Sequence, residues 1–179
     1  YIYDGKLKFE GEYLNGKRNG KGKEYNYYGK TIFEGEYLKG KKNGKGKVYD
    51  NDKLLFEGEY LNGRRWNGNG YEPNNNIIYI LENGKGYVKD YLKGTLIFEG
   101  EYLNGERNGK AKEYDYDGKL LFEGEYLNGK KWNGNGYDPN SNIIYKLKDG
   151  KGYIKDYLNG KLVFEGEYLN GNRKGEGKE

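Results

Sequence analysis

The segment Phe-Glu-Gly-Glu-Tyr-Leu-(Asn/Lys)-Gly occurs six times, beginning at Phe9, Phe33, Phe56, Phe98, Phe122 and Phe164, in steps of 24, 23, 42, 24 and 42 residues. Copies of this length cannot bury an apolar face alone, so they must stack on one another. The two long steps each hide another unit. Glycines of an Asn-Gly-x-Gly-like turn fall at Gly20, Gly44, Gly68, Gly84, Gly109, Gly134, Gly150 and Gly175, which predicts about eight units. Phe56–Glu113 also lies over Phe122–Glu179 without a gap, with fifteen differences in fifty-eight positions. A 66-residue superunit (56–121 and 122–179) of two regular hairpins and one short one is thus superimposed on a single continuous array, 1–179.

Within a unit, Phe-Glu-Gly-Glu-Tyr alternates. Phe9, Gly11 and Tyr13 share one strand face and Glu10 and Glu12 the other. Asn15 to Gly20 reads as a turn and Lys21 to Tyr27 as the returning strand. Second reversals are expected at Asp4-Gly5, Tyr28-Gly29, Lys93-Gly94, Asp117-Gly118 and Asn159-Gly160, with Asn51-Asp52-Lys53 as a glycine-free irregularity. Asn83-Gly84 and Asp149-Gly150 are favoured type I′ formers in the short hairpins. Between superunits Ile80 is replaced by Lys146, which marks a wet position. Ile77, Tyr79 and Leu81, matched by Ile143, Tyr145 and Leu147, are predicted to face inward. Gly11 and Gly35 should lie under rings, where a side chain would collide. The predicted fold is all-β: an elongated solenoid of antiparallel hairpins, a twisted ribbon or groove. Its stacking set is Phe9, Tyr13, Phe33, Tyr37, Phe56, Tyr60, Phe98, Tyr102, Phe122, Tyr126, Phe164 and Tyr168.

Composition supports a thin ordered molecule. With 32 glycines, 22 tyrosines and 34% hydrophobic residues a spherical core is not expected, while 17% aromatic content argues against disorder. The 32 basic and 28 acidic residues leave a net charge of +4 over a surface of mixed sign, which does not suit a nucleic-acid partner. There is no cysteine, so the compartment stays open. The start at Tyr1 resembles neither a signal peptide nor a natural beginning. Joining Glu179 to a following Tyr1 would restore the repeat, so the chain reads as a piece of a longer array or as a unit that stacks head to tail.

Catalytic apparatus is not evident, and the expected reading is no enzyme, no cofactor and no metal. The glutamates form two rows, read as a solvated face paired with strand lysines, and no loop has the EF-hand ligand pattern. Ser141 is the only serine and no histidine exists to activate it; its counterpart Asn75 points to a turn role. Gly20-Lys21-Gly22 does not fit phosphate-loop spacing. Basic pairs at the turns, Lys17-Arg18, Lys41-Lys42, Arg64-Arg65 and Lys130-Lys131, with Arg107 and Arg173-Lys174, would line up as a positive ridge. That ridge either rests on anionic lipid or guards exposed turns against aggregation. Trp66 and Trp132 read as inserted turn residues, since Gly63 to Gly68 spans five positions where Gly16 to Gly20 spans four. Each either folds over the shortened neighbour containing Pro73 or Pro139 or stands as an anchor for a partner.

The run Phe33-Glu34-Gly35-Glu36-Tyr37-Leu38-Lys39-Gly40-Lys41-Lys42-Asn43-Gly44-Lys45-Gly46 resembles the MORN (membrane occupation and recognition nexus) repeat. Lys23-Glu24-Tyr25 with a later Gly-Lys also resembles an antitoxin-like branch of that superfamily. The resemblance implies hairpin solenoids acting as scaffolds and protein-binding surfaces, sometimes at membranes. The expected role is therefore a structural scaffold or protein-interaction module, with self-association and peripheral phospholipid binding as further partner classes.

Overall fold

The computed structural model describes the backbone of residues 2–3, 5–158 and 161–178, and contains strands and turns without a helix among them. Part of the Asp4-Gly5 turn, the Asn159-Gly160 turn and the complementarity of Glu179 with Tyr1 lie outside the described residues. The contacts divide the chain into two units, Tyr1–Gly86 and Tyr87–Glu179.

In the first unit a short pair, β1 (Ile2–Tyr3) and β2 (Lys6–Leu7), precedes a seven-stranded sheet. Its strands are β3 (Phe9–Leu14), β4 (Lys17–Tyr25), β5 (Thr31–Leu38), β6 (Lys41–Asp50), β7 (Lys53–Leu61), β8 (Arg64–Tyr71) and β9 (Ile77–Leu81). In the second unit β10 (Gly86–Leu92), β11 (Thr95–Leu103), β12 (Glu106–Tyr114), β13 (Leu120–Leu127), β14 (Lys130–Tyr137) and β15 (Ile143–Leu147) form a six-stranded sheet. The strands β16 (Gly152–Leu158), β17 (Lys161–Leu169) and β18 (Asn172–Lys178) form a three-stranded one. Every sheet keeps sequence order with antiparallel neighbours, the arrangement that two-residue hairpin turns permit.

The hairpin tips are tighter than the sequence suggests. Asn15-Gly16, Lys39-Gly40, Asn62-Gly63, Asn128-Gly129 and Asn170-Gly171 all have positive φ at both residues, so type I′ turns close the regular hairpins as well as the short ones. Lys17, Arg18 and Gly20 therefore stand in β4, not in a six-residue turn. Gly44, Gly68, Gly109 and Gly134 are likewise strand residues, whereas Gly84 and Gly150 sit at tips. Asn51-Asp52, at φ 47° and 67°, makes the same reversal without glycine. Ser141 occupies a positive-φ loop position, φ 65°, as Asn75 does at 70°.

The interior is a row of rings. Phe9, Phe33, Phe56, Phe98 and Phe122 are at most 1% exposed. They lie along a cross-strand row of small residues, Gly11–Gly22–Gly35–Gly46–Gly58–Gly68 in the first unit and Gly100–Ala111–Gly124–Gly134 in the second. A Cβ added at Gly11 or Gly35 would stand 2.9 or 2.8 Å from the Phe9 or Phe33 Cζ. Three phenylalanines meet both their own copy's tyrosine and the next copy's edge-on: Phe9 with Tyr13 and Tyr37 at 5.4 Å, Phe33 with Tyr37 and Tyr60, and Phe98 with Tyr102 and Tyr126, while Phe56 and Phe122 meet their own copy's Tyr60 and Tyr126. Edge-to-face pairs contribute about 0.5–1.5 kcal/mol each beyond the area they bury. Phe164 is buried, Tyr168 is half-buried and packs on the second unit's core, and Tyr13 is 49% exposed. In the short hairpins Tyr79, Leu81, Tyr145 and Leu147 are buried, but Ile77 and Ile143 are 55% and 51% exposed. A bulge between Gly70 and Tyr71, and its equivalent at Gly136 and Tyr137, shifts register by one and turns those isoleucines outward.

The glycine row generates a stability prediction. A Cβ at Gly124 would stand 2.0 Å from the Asn133 carbonyl oxygen and 2.6 Å from the Gly134 Cα, backbone that cannot yield. Gly124→Ala should lower unfolding stability by about 3 kcal/mol in denaturant titration. Unchanged stability would contradict the tight register.

Candidate interaction surface

Two features of each regular hairpin follow from its bulge. In β3–β4 the pairing passes from Gly11↔Gly22 to Tyr13↔Arg18, leaving Asn19, Gly20 and Lys21 out of register. The Glu12 carboxylate plugs this bulge, accepting from the Lys21 N–H at 2.9 Å in space that a Cβ on Gly20 would take. Glu36 does the same for Lys45 N–H. The second glutamate row is therefore a set of bulge caps, where a solvated face paired with strand lysines was expected. The first row alternates with lysines across strands, Glu10–Lys23–Glu34–Lys47–Glu57, with Lys47 Nζ 3.0 Å from Glu57.

The bulge also lets each hairpin hold the next one's tip. The Gly40, Gly63 and Gly84 N–H groups donate to the carbonyls of Arg18, Lys42 and Trp66 at 2.7–2.8 Å. The second unit repeats this with Gly129 to Arg107 and Gly150 to Trp132 at 2.8 Å, then Gly171 to Gly150 at 3.1 Å. Beside them Asn19, Asn43 and Asn67 accept through Oδ1 from the backbone N–H of Lys39, Asn62 and Asn83. Asn108 and Asn133 accept from Asn128 and Asp149. Sequence reading missed these asparagines. Their signal is recurrence three or four positions beyond each tip glycine.

The tryptophan hairpins correct an expectation. Gly68 pairs with Gly58 as Gly22 pairs with Gly11, so the equivalent spans are six positions from Gly16 to Gly22 and five from Gly63 to Gly68. Trp66-Asn67 replaces Asn-Gly-Lys, and the bulge is smaller, not larger. Glu59 and Glu125 now accept from the Asn67 and Asn133 side-chain amides at 2.9 Å. Trp66 and Trp132 are half-buried. The Trp132 ring lies against the short hairpin's tip, 2.6 Å from where a Cβ on Gly150 would stand.

The basic pairs divide. Their first members Lys17, Lys41, Arg64 and Lys130 are exposed. The second members lie over the phenylalanine nine residues earlier: Arg18 at 4.2 Å from the Phe9 centroid, Lys42 at 3.8 Å, Arg65 at 5.1 Å, Arg107 at 3.8 Å, Lys131 at 4.9 Å and Arg173 at 4.1 Å. A cation over a ring face contributes about 0.5–2 kcal/mol, depending on how dry it is. Carboxylates link neighbouring cations: Glu24 joins Arg18 to Lys42, Glu113 joins Arg107 to Lys131, and Asp156 joins Lys131 to Arg173. The expected ridge thus keeps one cation of each pair at its surface, because the other completes the ring stack.

Burial pushes the Glu24 and Glu113 carboxyls up, but their cations and the adjacent tyrosine hydroxyls more than offset it, and both lie below the usual 4.5. Burial and the facing carboxylates Glu24 and Glu113 raise the Tyr37 and Tyr126 phenols, and Tyr145 is pushed up to about 12. Depressed carboxyls contribute stability that is complete above 4.5 and disappears as pH falls through their folded values. Glu113→Gln should cost about 1–3 kcal/mol at neutral pH, with its deficit against the parent shrinking on acidification below the usual glutamate value. Urea titrations across that range test this, and a deficit independent of pH would contradict it. Trp132→Ala should cost about 1–3 kcal/mol, half-burial placing it below a core tryptophan. Thermal unfolding of the variant checks this; an unchanged midpoint would leave Trp132 no structural part.

The MORN repeat family model matches residues 9–26, 33–53, 98–119 and 164–179. All four matches begin at hairpins with the ordinary Asn/Lys-Gly tip, and the two tryptophan hairpins fall outside them. No curated protein matches the chain. Strictly sequential antiparallel hairpins, rings over glycines and four family matches agree: the chain is a MORN-repeat protein.

Proposed function

We propose that the chain is a non-catalytic scaffold that docks a protein partner on its charged sheet face. The supporting observation is an open trough of about 550 Å³ in the first unit. Glycines Gly22, Gly35 and Gly46 form its floor, and Glu10, Lys23, Glu34 and Lys47 form one wall. Lys21, Glu36 and Lys45 form the other. Strands lie about 4.8 Å apart, so like charges recur along each wall at about twice that distance. Such a pattern selects an elongated polypeptide surface with its own alternating charges over a compact small molecule. The half-buried tryptophans offer secondary anchors.

A second reading, peripheral binding to anionic phospholipid, draws on the exposed Lys17, Lys41, Arg64 and Lys130. At about 1 kcal/mol per well-placed charge they form a weaker ridge than paired basic residues would.

Two double variants separate the readings. Lys23→Glu with Lys47→Glu should abolish partner capture in pull-downs, while Lys17→Glu with Lys41→Glu should leave it intact. Sedimentation with phosphatidylserine vesicles should show no more binding than with neutral ones. Retained capture by the trough variant, or vesicle binding lost on reversing Lys17 and Lys41, would sink the protein-docking assignment.

A further inference from the structure

The two walls of the trough differ in what they leave unpaired. On one, the charges satisfy each other: Lys23 Nζ stands 3.4 Å from Glu34 and Lys47 Nζ 3.0 Å from Glu57, while Glu10 accepts from the Tyr25 hydroxyl at 2.9 Å. On the other, Glu36 is turned down onto the sheet, accepting from the Lys45 N–H at 3.0 Å as Glu12 does from the Lys21 N–H at 2.9 Å. The lysine heads of this wall are left over. Lys21 and Lys45 are exposed, and among the described residues neither ammonium meets a carboxylate or another acceptor. Each keeps three donors for a ligand.

Their spacing limits what that ligand is. Lys21 stands on β4 and Lys45 on β6, each beside the floor glycine of its own strand, with β5 between them. Two strand spacings separate them, about 9.6 Å. The walls are the side chains on either side of one glycine, two residues apart and so about 6.7 Å from each other. An α-helix, about 10–12 Å across, is too wide to enter. A β-strand laid along the floor turns the same face down every second residue, about 6.7 Å, and falls out of step with the lysines. Polyproline II, with three residues per turn and a rise of 3.1 Å, repeats its face at about 9.3 Å.

We infer that the trough, taken as the docking face, receives a polyproline II segment of a partner protein that carries a carboxylate at every third residue, successive acids falling on Lys21 and Lys45. Proline at the intervening positions holds that conformation before binding, so little ordering entropy is lost on docking. The sign follows from the unpaired heads, and lysines also outnumber glutamates by four to three among the charged residues lining the trough.

Two twelve-residue peptides of one composition test this against the intact chain by calorimetric titration. In the first, Glu-Pro-Pro is repeated four times; in the second, four glutamates precede eight prolines, so charge and proline content are equal and only the spacing differs. The spaced peptide should bind about two- to thirtyfold more tightly, the range that two exposed ion pairs supply. Lys21→Gln with Lys45→Gln, both at exposed positions, should leave the fold unchanged by circular dichroism and bring the spaced peptide down to the affinity of the block peptide. Equal affinity of the parent for the two peptides, or a preference that survives the loss of both lysines, would overturn the polyproline assignment and leave protein docking on the trough standing. Failure of both peptides to bind would overturn it too; if Lys23→Glu with Lys47→Glu also retained partner capture, the docking face itself would fall with it.

Discussion

Each phenylalanine ring lies beneath a cation from the returning strand and against a cross-strand row of glycines in which Ala111 takes one place, and the other regularities of the structure serve that contact. The ring needs a flat backbone beneath it, which small residues at the cross-strand positions supply: glycine pairs in the first unit and Gly100 opposite Ala111 in the Phe98 hairpin. It needs an edge-on neighbour, which the tyrosine of the next copy supplies. It needs a lid, and the arginine or lysine nine residues later folds over it. Because one of these elements comes from the adjoining hairpin, a copy gains most of its burial from association, the general condition of a repeat array.

Charge is organised around the same contact. A cation held over a ring and half removed from water would be costly without a counter-charge, and Glu24, Glu113 and Asp156 supply it by bridging successive cations. The result within each unit is a run of ion pairs from hairpin to hairpin, alongside the ring stack. Residues that look in sequence like a basic surface feature thus split into a structural half and an exposed half, and only the exposed half is available to a partner.

The repeat, the strand parity and the ring-over-glycine contact were legible because each rests on short-range alternation: Phe-Glu-Gly-Glu-Tyr states its own period. What was not legible depended on register. Gly20 and Gly84 are both preceded by asparagine, yet one occupies a bulge inside a strand and the other a turn tip. Trp66 looked like an insertion because the count was taken from Gly20 and not from Gly22, the glycine that faces Gly11. Ile77 was placed inward by parity, and a single bulge reversed it. The docking asparagines were hidden because their partners are backbone amides of another hairpin, which no local pattern announces.

The two margins of each sheet obey different rules. On the docked margin the described closures are two-residue reversals, and those at Gly40, Gly63, Gly84, Gly129, Gly150 and Gly171 are gripped by a predecessor. On the opposite margin the connections vary, from Asn51-Asp52 to the wider loops that Asn26, Glu72, Asp115 and Asp138 open, and each closes on its own bonds. A segment grafted there perturbs a single loop, whereas the same graft on the gripped side would uncouple a pair of neighbours.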